Sequence, residues 1–189
     1  MNVFVFPGQG SQHLGMGADL YNSNRKAQQI FEDANEILGF KITDIMFGED
    51  QEALKQTNIT QPAIYIHSMV IALIADKFFK PNAVAGHSLG EFTALAAANY
   101  ISFEDGLRLV HKRAIAMQEA CEKNESSMAA IVGLDDNTVE DVCSQSKETL
   151  VAANYNCPGQ IVISGTISAV NIACNKLTEL GARRALVLP

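Results

Sequence analysis

A short run of small and apolar residues, Asn82-Ala83-Val84-Ala85, leads into Gly86-His87-Ser88-Leu89-Gly90, and a run of mostly small residues continues to Asn99. The pattern Gly-x-Ser-x-Gly between a strand and a helix is the signature of a nucleophile elbow. A sharp turn exposes the serine hydroxyl, and hydrogen must replace a side chain on either side of it. From the Gly and Ser content of this chain, the bare pattern would arise by chance in roughly one such sequence in twenty. Its weight comes from its setting, strand before and helix after, which predicts an α/β fold with Ser88 as the nucleophile. A plain structural turn is the alternative.

A serine hydroxyl is nearly inert until a base takes its proton and donors stabilise the oxyanion formed on attack. The helix starting at Leu89 offers a backbone N–H beside the serine. A second donor is available in Pro7-Gly8-Gln9-Gly10, a Gly-rich loop that ends an apolar strand over Asn2 to Phe6. Such loops also simply turn the chain or cradle phosphate.

Helical patterns run from Asn24 to Leu38 and from Gln61 to Phe79, the second apolar almost all round and therefore central. Ser102 followed by Asp105 resembles a capping box and starts a helix that reaches about Lys123. Phe103, Leu107, Val110, Ala114, Met117 and Cys121 recur along it at helical spacing and predict its buried face. Arg113 lies beside that stripe. Beyond the polar break at Lys123 to Ser127 the pattern becomes strand, helix, strand, strand, helix, strand, ending over Arg183 to Leu188. This is the βαββαβ order of a ferredoxin-like unit. The expected organisation is a larger α/β domain over residues 1–125 and a small ferredoxin-like subdomain over 126–189.

With 48% hydrophobic and 19% charged residues, the 189-residue chain has the composition of a globular protein. A formal charge of -7, with no basic cluster longer than Arg183-Arg184, argues against nucleic acid as a partner. The N-terminus lacks a basic signal region, and the apolar stretch from Ala63 to Phe79 is broken by His67, Asp76 and Lys77. No membrane association and a cytoplasmic location are expected. Cys121, Cys143, Cys157 and Cys174 are far apart, without metal-ligand spacing, and are expected to be reduced, buried fillers.

Several motifs occur in order along the chain: Phe6 to Gln12 (Phe-Pro-Gly-Gln-Gly-Ser-Gln), Thr60-Gln61-Pro62-Ala63, Gly86 to Glu91, Arg113-Ala114-x-x-Met117-Gln118, and Asn156-x-Pro158-x-Gln160-x-Val162-Ile163-Ser164-Gly165. Together they resemble the malonyl-CoA:acyl carrier protein transacylase family, to which the acyltransferase domains of fatty-acid and polyketide synthases are also similar. The resemblance implies an α/β-hydrolase-like larger domain and a ping-pong cycle. In that cycle Ser88 takes an acyl group from the CoA thioester and passes it to the phosphopantetheine thiol of acyl carrier protein. It implies an oxyanion hole from the amides of Gln9 and Leu89, and Arg113 as the grip on the malonyl carboxylate. CoA thioester enters as substrate, and no metal or redox cofactor is implied. Asn154, Asn156 and Arg184 are candidate contacts for CoA or carrier protein, with turn or surface roles equally open. For Arg113 the rival role is an internal ion pair with an acid such as Glu91.

The resemblance also places the general-base histidine in a segment after the last strand of the small subdomain, whereas this sequence ends at Leu188-Pro189. The expectation is a chain truncated before its base, incomplete at the C-terminus of the larger domain and poorly active, from a protein that is monomeric at full length. His13, His67, His87 and His111 do not match the family's base. His13 is read as an exposed loop residue, His67 and His111 as helix residues and His87 as elbow packing, with His13 the nearest substitute. Two rival functions remain: a serine esterase, and a non-catalytic module that binds acyl carrier protein or CoA.

Overall fold

The computed structural model describes residues 1–123 and 125–188. Asn124, in the polar break, and Pro189, read as the end of the last strand, lie outside the described residues. The chain is a mixed α/β protein that divides into two compact units, Met1–Glu119 and Ala120–Pro189.

In the first unit β1 (Val3–Phe6) and β2 (Ala83–Gly86) pair in parallel, with Phe6 opposite Gly86. The helices are α1 (Ala18–Ser23), α2 (Arg25–Leu38), α3 (Ile42–Met46), α4 (Gln51–Lys55), α5 (Thr57–Ile74), α6 (Gly90–Ala97) and α7 (Phe103–Lys123), the last running past Glu119; α6 packs on both strands. The Asn24 side chain caps α2 by accepting from the Lys26 and Ala27 amides, and Ala27, Ile30, Phe31 and Ala34 turn its apolar face inward. As its composition predicts, α5 is central, with Ile59 to Ile66 buried without a break. It begins one turn before the predicted start. Pro62, which suits a first turn, lies well inside the helix, where its missing N–H leaves the Asn58 carbonyl without a helical partner. Burial of Ile59 and Thr60, with a Thr60 hydroxyl bond to the Leu54 carbonyl, accompanies that extra turn. The far end is shorter than expected: α5 stops at Ile74, and a single 3-10 turn covers Asp76–Phe78.

Ser102 caps α7, accepting from the Asp105 amide at 2.9 Å and donating to the Asp105 carboxylate at 2.8 Å. Its buried face comprises Gly106, Leu107, Val110 and Ala114, but the predicted continuation fails. Met117 is 39% exposed and Cys121 is exposed, because helical periodicity repeats along the whole helix whereas its burial stops at Ala114. Gly106 is required by Tyr65: an added Cβ would lie 2.1 Å from the tyrosine oxygen, which donates to the Phe103 carbonyl at 3.0 Å.

The second unit has the predicted βαββαβ order: β3 (Ser126–Val132), α8 (Asp136–Ser144), β4 (Leu150–Cys157), β5 (Gln160–Thr166), α9 (Ile167–Glu179) and β6 (Arg184–Val187). All neighbouring strands are antiparallel, in the order β4-β5-β3-β6, the ferredoxin-like arrangement. Ala129, Ile131, Ile161 and Ile163 pack with Val139 and Val142 of α8 and with Val170, Ala173 and Leu177 of α9 in one core. Both helices therefore cover the same face of the sheet. Asp135 and Thr166 cap the two helices through the Thr138 and Ala169 amides. Cys143 and Cys174 are buried as expected, with burial raising their thiol pKa values, whereas Cys121 and Cys157 are exposed; all four are free. Among the described residues no helix is long and apolar enough to cross a membrane.

Candidate active site

The elbow forms where β2 ends. The His87 amide donates to the Phe6 carbonyl of β1 at 3.0 Å, extending the parallel pairing by one residue. The chain then reverses through Ser88, whose φ of 55° is in the left-handed region that side chains other than glycine rarely adopt. Amide bonds from Gly90 to His87 and from Glu91 to Ser88 close the turn and start α6.

The two flanking glycines have separate steric reasons. A Cβ on Gly86 would lie 2.0 Å from the Gly90 carbonyl carbon and oxygen, so strand and helix backbones touch there. A Cβ on Gly90 would lie 2.4 Å from the Phe6 oxygen and 2.8 Å from the Pro7 oxygen, so α6 rests directly on the end of β1. Gly8 closes the same junction, since its Cβ would meet His87 Nδ1 at 2.5 Å. The Gly-rich loop is thus held on the elbow by backbone-to-backbone approach that no side chain can share.

Facing the serine, Arg113 of α7 donates from Nη2 to Ser88 Oγ at 2.9 Å and from Nη1 to Gln61 Oε1 at 2.6 Å. Gln61, on α5 and 1% exposed, donates from Nε2 to Gln9 Oε1 and to Met117 Sδ, each at 3.3 Å. Three of the residues singled out from the sequence are thus joined by one polar chain, Ser88–Arg113–Gln61–Gln9. Leu89, the fourth, is fully buried at the N-cap of α6. Neither the Gln9 nor the Leu89 amide donates to another group of the chain among the described residues.

The ion pair with Glu91 does not form: among the described residues Arg113 has no carboxylate partner, and its guanidinium is held by two neutral oxygens. Gln61 was visible only as part of a motif. The signal that it has a role was a long polar side chain opening an otherwise apolar helix, because a buried amide needs partners.

His13, His67 and His111 lie away from the elbow, of which His87 is part. His13 is exposed and faces His67, with ring centroids 6.3 Å apart and edge-on, and its Nδ1 is 3.1 Å from the Leu14 carbonyl oxygen. Burial, then His13, lowers the pKa of His67, against a smaller raising effect of Asp19. Burial also lowers that of His111, whose ring is 6.0 Å from Phe40. None of His13, His67 or His111 is a hydrogen-bond partner of Ser88 among the described residues.

The fold thus builds a strand-to-helix turn with a positive-φ serine between sterically required glycines, beside a guanidinium that no described carboxylate pairs. Comparison with known proteins shows the family: the chain belongs to the acyl transferase domain family, which matches it over residues 3–187. It is 42% identical over 189 residues to a malonyl CoA-acyl carrier protein transacylase of Staphylococcus aureus, covering 98% of this chain and 61% of that protein. It is similar to the crystal structure of an acyl-carrier-protein S-malonyltransferase from Bartonella henselae, with 41% identity and a TM-score of 0.93, covering 100% of this chain and 63% of that one. A structure of a malonyl-transacylase in complex with a type II polyketide acyl-carrier protein is also similar, with 38% identity and a TM-score of 0.92, covering 98% of this chain and 62% of that one. The chain thus spans about three fifths of the length of these relatives.

Proposed function

We propose that this protein moves a malonyl group from malonyl-CoA to the phosphopantetheine thiol of acyl carrier protein through an ester on Ser88. The observation that carries this reading is the Arg113 guanidinium, unpaired by any described carboxylate and 2.9 Å from Ser88 Oγ. A hydrolase for neutral esters has no use for a half-buried cation at its serine. An acyl group that ends in a carboxylate does, because the guanidinium fork matches a carboxylate with two parallel hydrogen bonds.

In the first half-reaction Ser88 Oγ attacks the thioester carbonyl carbon, its proton passes to a base, and the C–S bond breaks to release CoA thiolate, which takes up a proton. In the second the carrier thiol, giving up its proton, attacks the ester carbonyl, and the C–O bond breaks to return the Ser88 hydroxyl. Gln9 and Leu89 amides serve as the oxyanion hole, an assignment supported by their freedom from other acceptors. The Ser88 hydroxyl, on a residue with φ of 55°, accepts from Arg113. The chemistry calls for no metal or redox cofactor, and the setting of fatty-acid or polyketide assembly is cytoplasmic. Among the described residues none of His13, His67 and His111 bonds Ser88, so the base is assigned to none of these three.

The test is two-stage transfer. The protein is incubated with malonyl-CoA, separated from it, and mixed with holo acyl carrier protein. Malonyl-carrier formation is expected, absent with Ser88→Ala. Stoichiometric binding of carrier protein or CoA with no transfer would replace the enzyme reading with that of a binding module.

A further inference from the structure

We propose that Gln61 is a positioning residue that fixes the Arg113 guanidinium without neutralising it, and so sets the preference for acyl groups bearing a carboxylate. The inference rests on the malonyl-transfer reading for its substrate, but the contact itself stands apart from it. Arginine carries donors only, so a side chain that orients it must present an acceptor. The strongest acceptor would be a carboxylate, which would also cancel the charge that a malonyl group needs. Gln61 has the length of glutamate, offers Oε1 to Arg113 Nη1 at 2.6 Å, and carries no charge.

Its other end has the matching polarity. Because Oε1 must face Arg113, Nε2 is turned to Gln9 Oε1 and Met117 Sδ, each an acceptor at 3.3 Å. Gln61 is 1% exposed, so water offers its amide no substitute partner, and losing any of these contacts leaves a buried polar group unsatisfied. The residue therefore links the carboxylate grip to the loop that carries Gln9. An asparagine would fall short by one methylene, and a glutamate would occupy Arg113 as an internal substitute for the acyl carboxylate.

The experiment compares the wild type, Gln61→Glu and the near-isosteric Gln61→Met on two readouts. The first is the rate of Ser88 acylation by malonyl-CoA relative to acetyl-CoA, followed by intact mass. The second is the NMR signature of the Arg113 Nη groups, which resolve when guanidinium rotation is hindered and merge when it is free. Gln61→Glu is expected to lower the malonyl-to-acetyl ratio by about 10- to 100-fold, the effect of removing one or two charge-assisted hydrogen bonds from the preferred substrate. Gln61→Met is expected to merge the Nη signals that are distinct in the wild type. A ratio unchanged in Gln61→Glu, or Arg113 signals unchanged in Gln61→Met, overturns the proposal. If the wild type shows no acylation at all, the transfer reading fails for this chain, and the Nη signals alone decide the role of Gln61. A general packing role would lower both acylation rates together and leave their ratio fixed, which also overturns it.

Discussion

Replacing Gly86 with alanine tests whether the elbow is as tight as its geometry implies. The new Cβ would lie 2.0 Å from the Gly90 carbonyl carbon and oxygen and 2.3 Å from the Glu91 amide nitrogen, where ordinary contact begins at 3.4 Å. The deficit of about 1.4 Å cannot be relieved by rotating a side chain, since all three neighbours are backbone atoms. Relief has to come from opening the turn that holds Ser88. The cost belongs at or above the top of the usual range for overpacking, about 3 kcal/mol. At about 2.1 cal/mol/K per residue, the 119 residues of the first unit give an unfolding entropy of roughly 250 cal/mol/K, so its melting temperature should fall by about 12 °C. Gly39→Ala is the matched control. Gly39 has φ 75° at the end of α2 and nothing within 4 Å of an added Cβ, leaving only the left-handed penalty of about 1 kcal/mol and a drop of about 4 °C. Calorimetry or circular dichroism on both variants measures the difference. Equal melting temperatures, or a Gly86→Ala protein as stable as the wild type, would refute the argument that strand and helix backbones touch at this point.

Asn24→Ala removes the acceptor for two amides at the start of α2 and should cost about 1 kcal/mol, read as a shift in denaturant midpoint without a change in slope. Burial holds the His67 pKa below its ordinary 6.5, so the unfolded chain takes up the proton first as pH falls. Stability should therefore decline from about pH 6.5 downward, and His67→Gln should flatten that part of the profile, measured as melting temperature against pH. The facing charges are those of His13, which opposes protonation, and Asp19, which favours it. Arg113→Lys keeps the charge but cannot reach Ser88 and Gln61 as one planar fork, so malonyl acylation should fall about tenfold or more while acetyl acylation changes little. Equal losses for both acyl donors would show that Arg113 supports the fold and not the acyl carboxylate.

The second unit was legible in its element order, because strand-like and helical spacing alternate there between short breaks, although the caps Asp135 and Thr166 were not singled out. The elbow was legible for a related reason: a contact between backbones forces glycine at Gly86 and Gly90 and leaves a mark in the sequence. Packing limits leave no such mark. The helical stripe of α7 continues through Met117 and Cys121 although its buried residues end at Ala114, and exposure separates Cys121 and Cys157 from Cys143 and Cys174. The start of α5 was misplaced because Pro62 follows the local rule for a first turn while tertiary burial of Ile59 and Thr60 extends the helix backwards. Arg113 could be marked as a candidate from sequence, but the choice between substrate clamp and internal ion pair depends on which side chains reach it. Gln61 was hidden for the same reason, its meaning lying in residues 52 positions away on either side.

The most direct test of acyl transfer through Ser88 is the intact mass of the protein after incubation with malonyl-CoA, with Ser88→Ala and Arg113→Ala alongside. The account predicts the addition of one malonyl group to the wild type, none to Ser88→Ala and much less to Arg113→Ala, with acetyl-CoA showing no such dependence on Arg113. An adduct of equal yield on Ser88→Ala, or no adduct on folded wild-type protein, would contradict it.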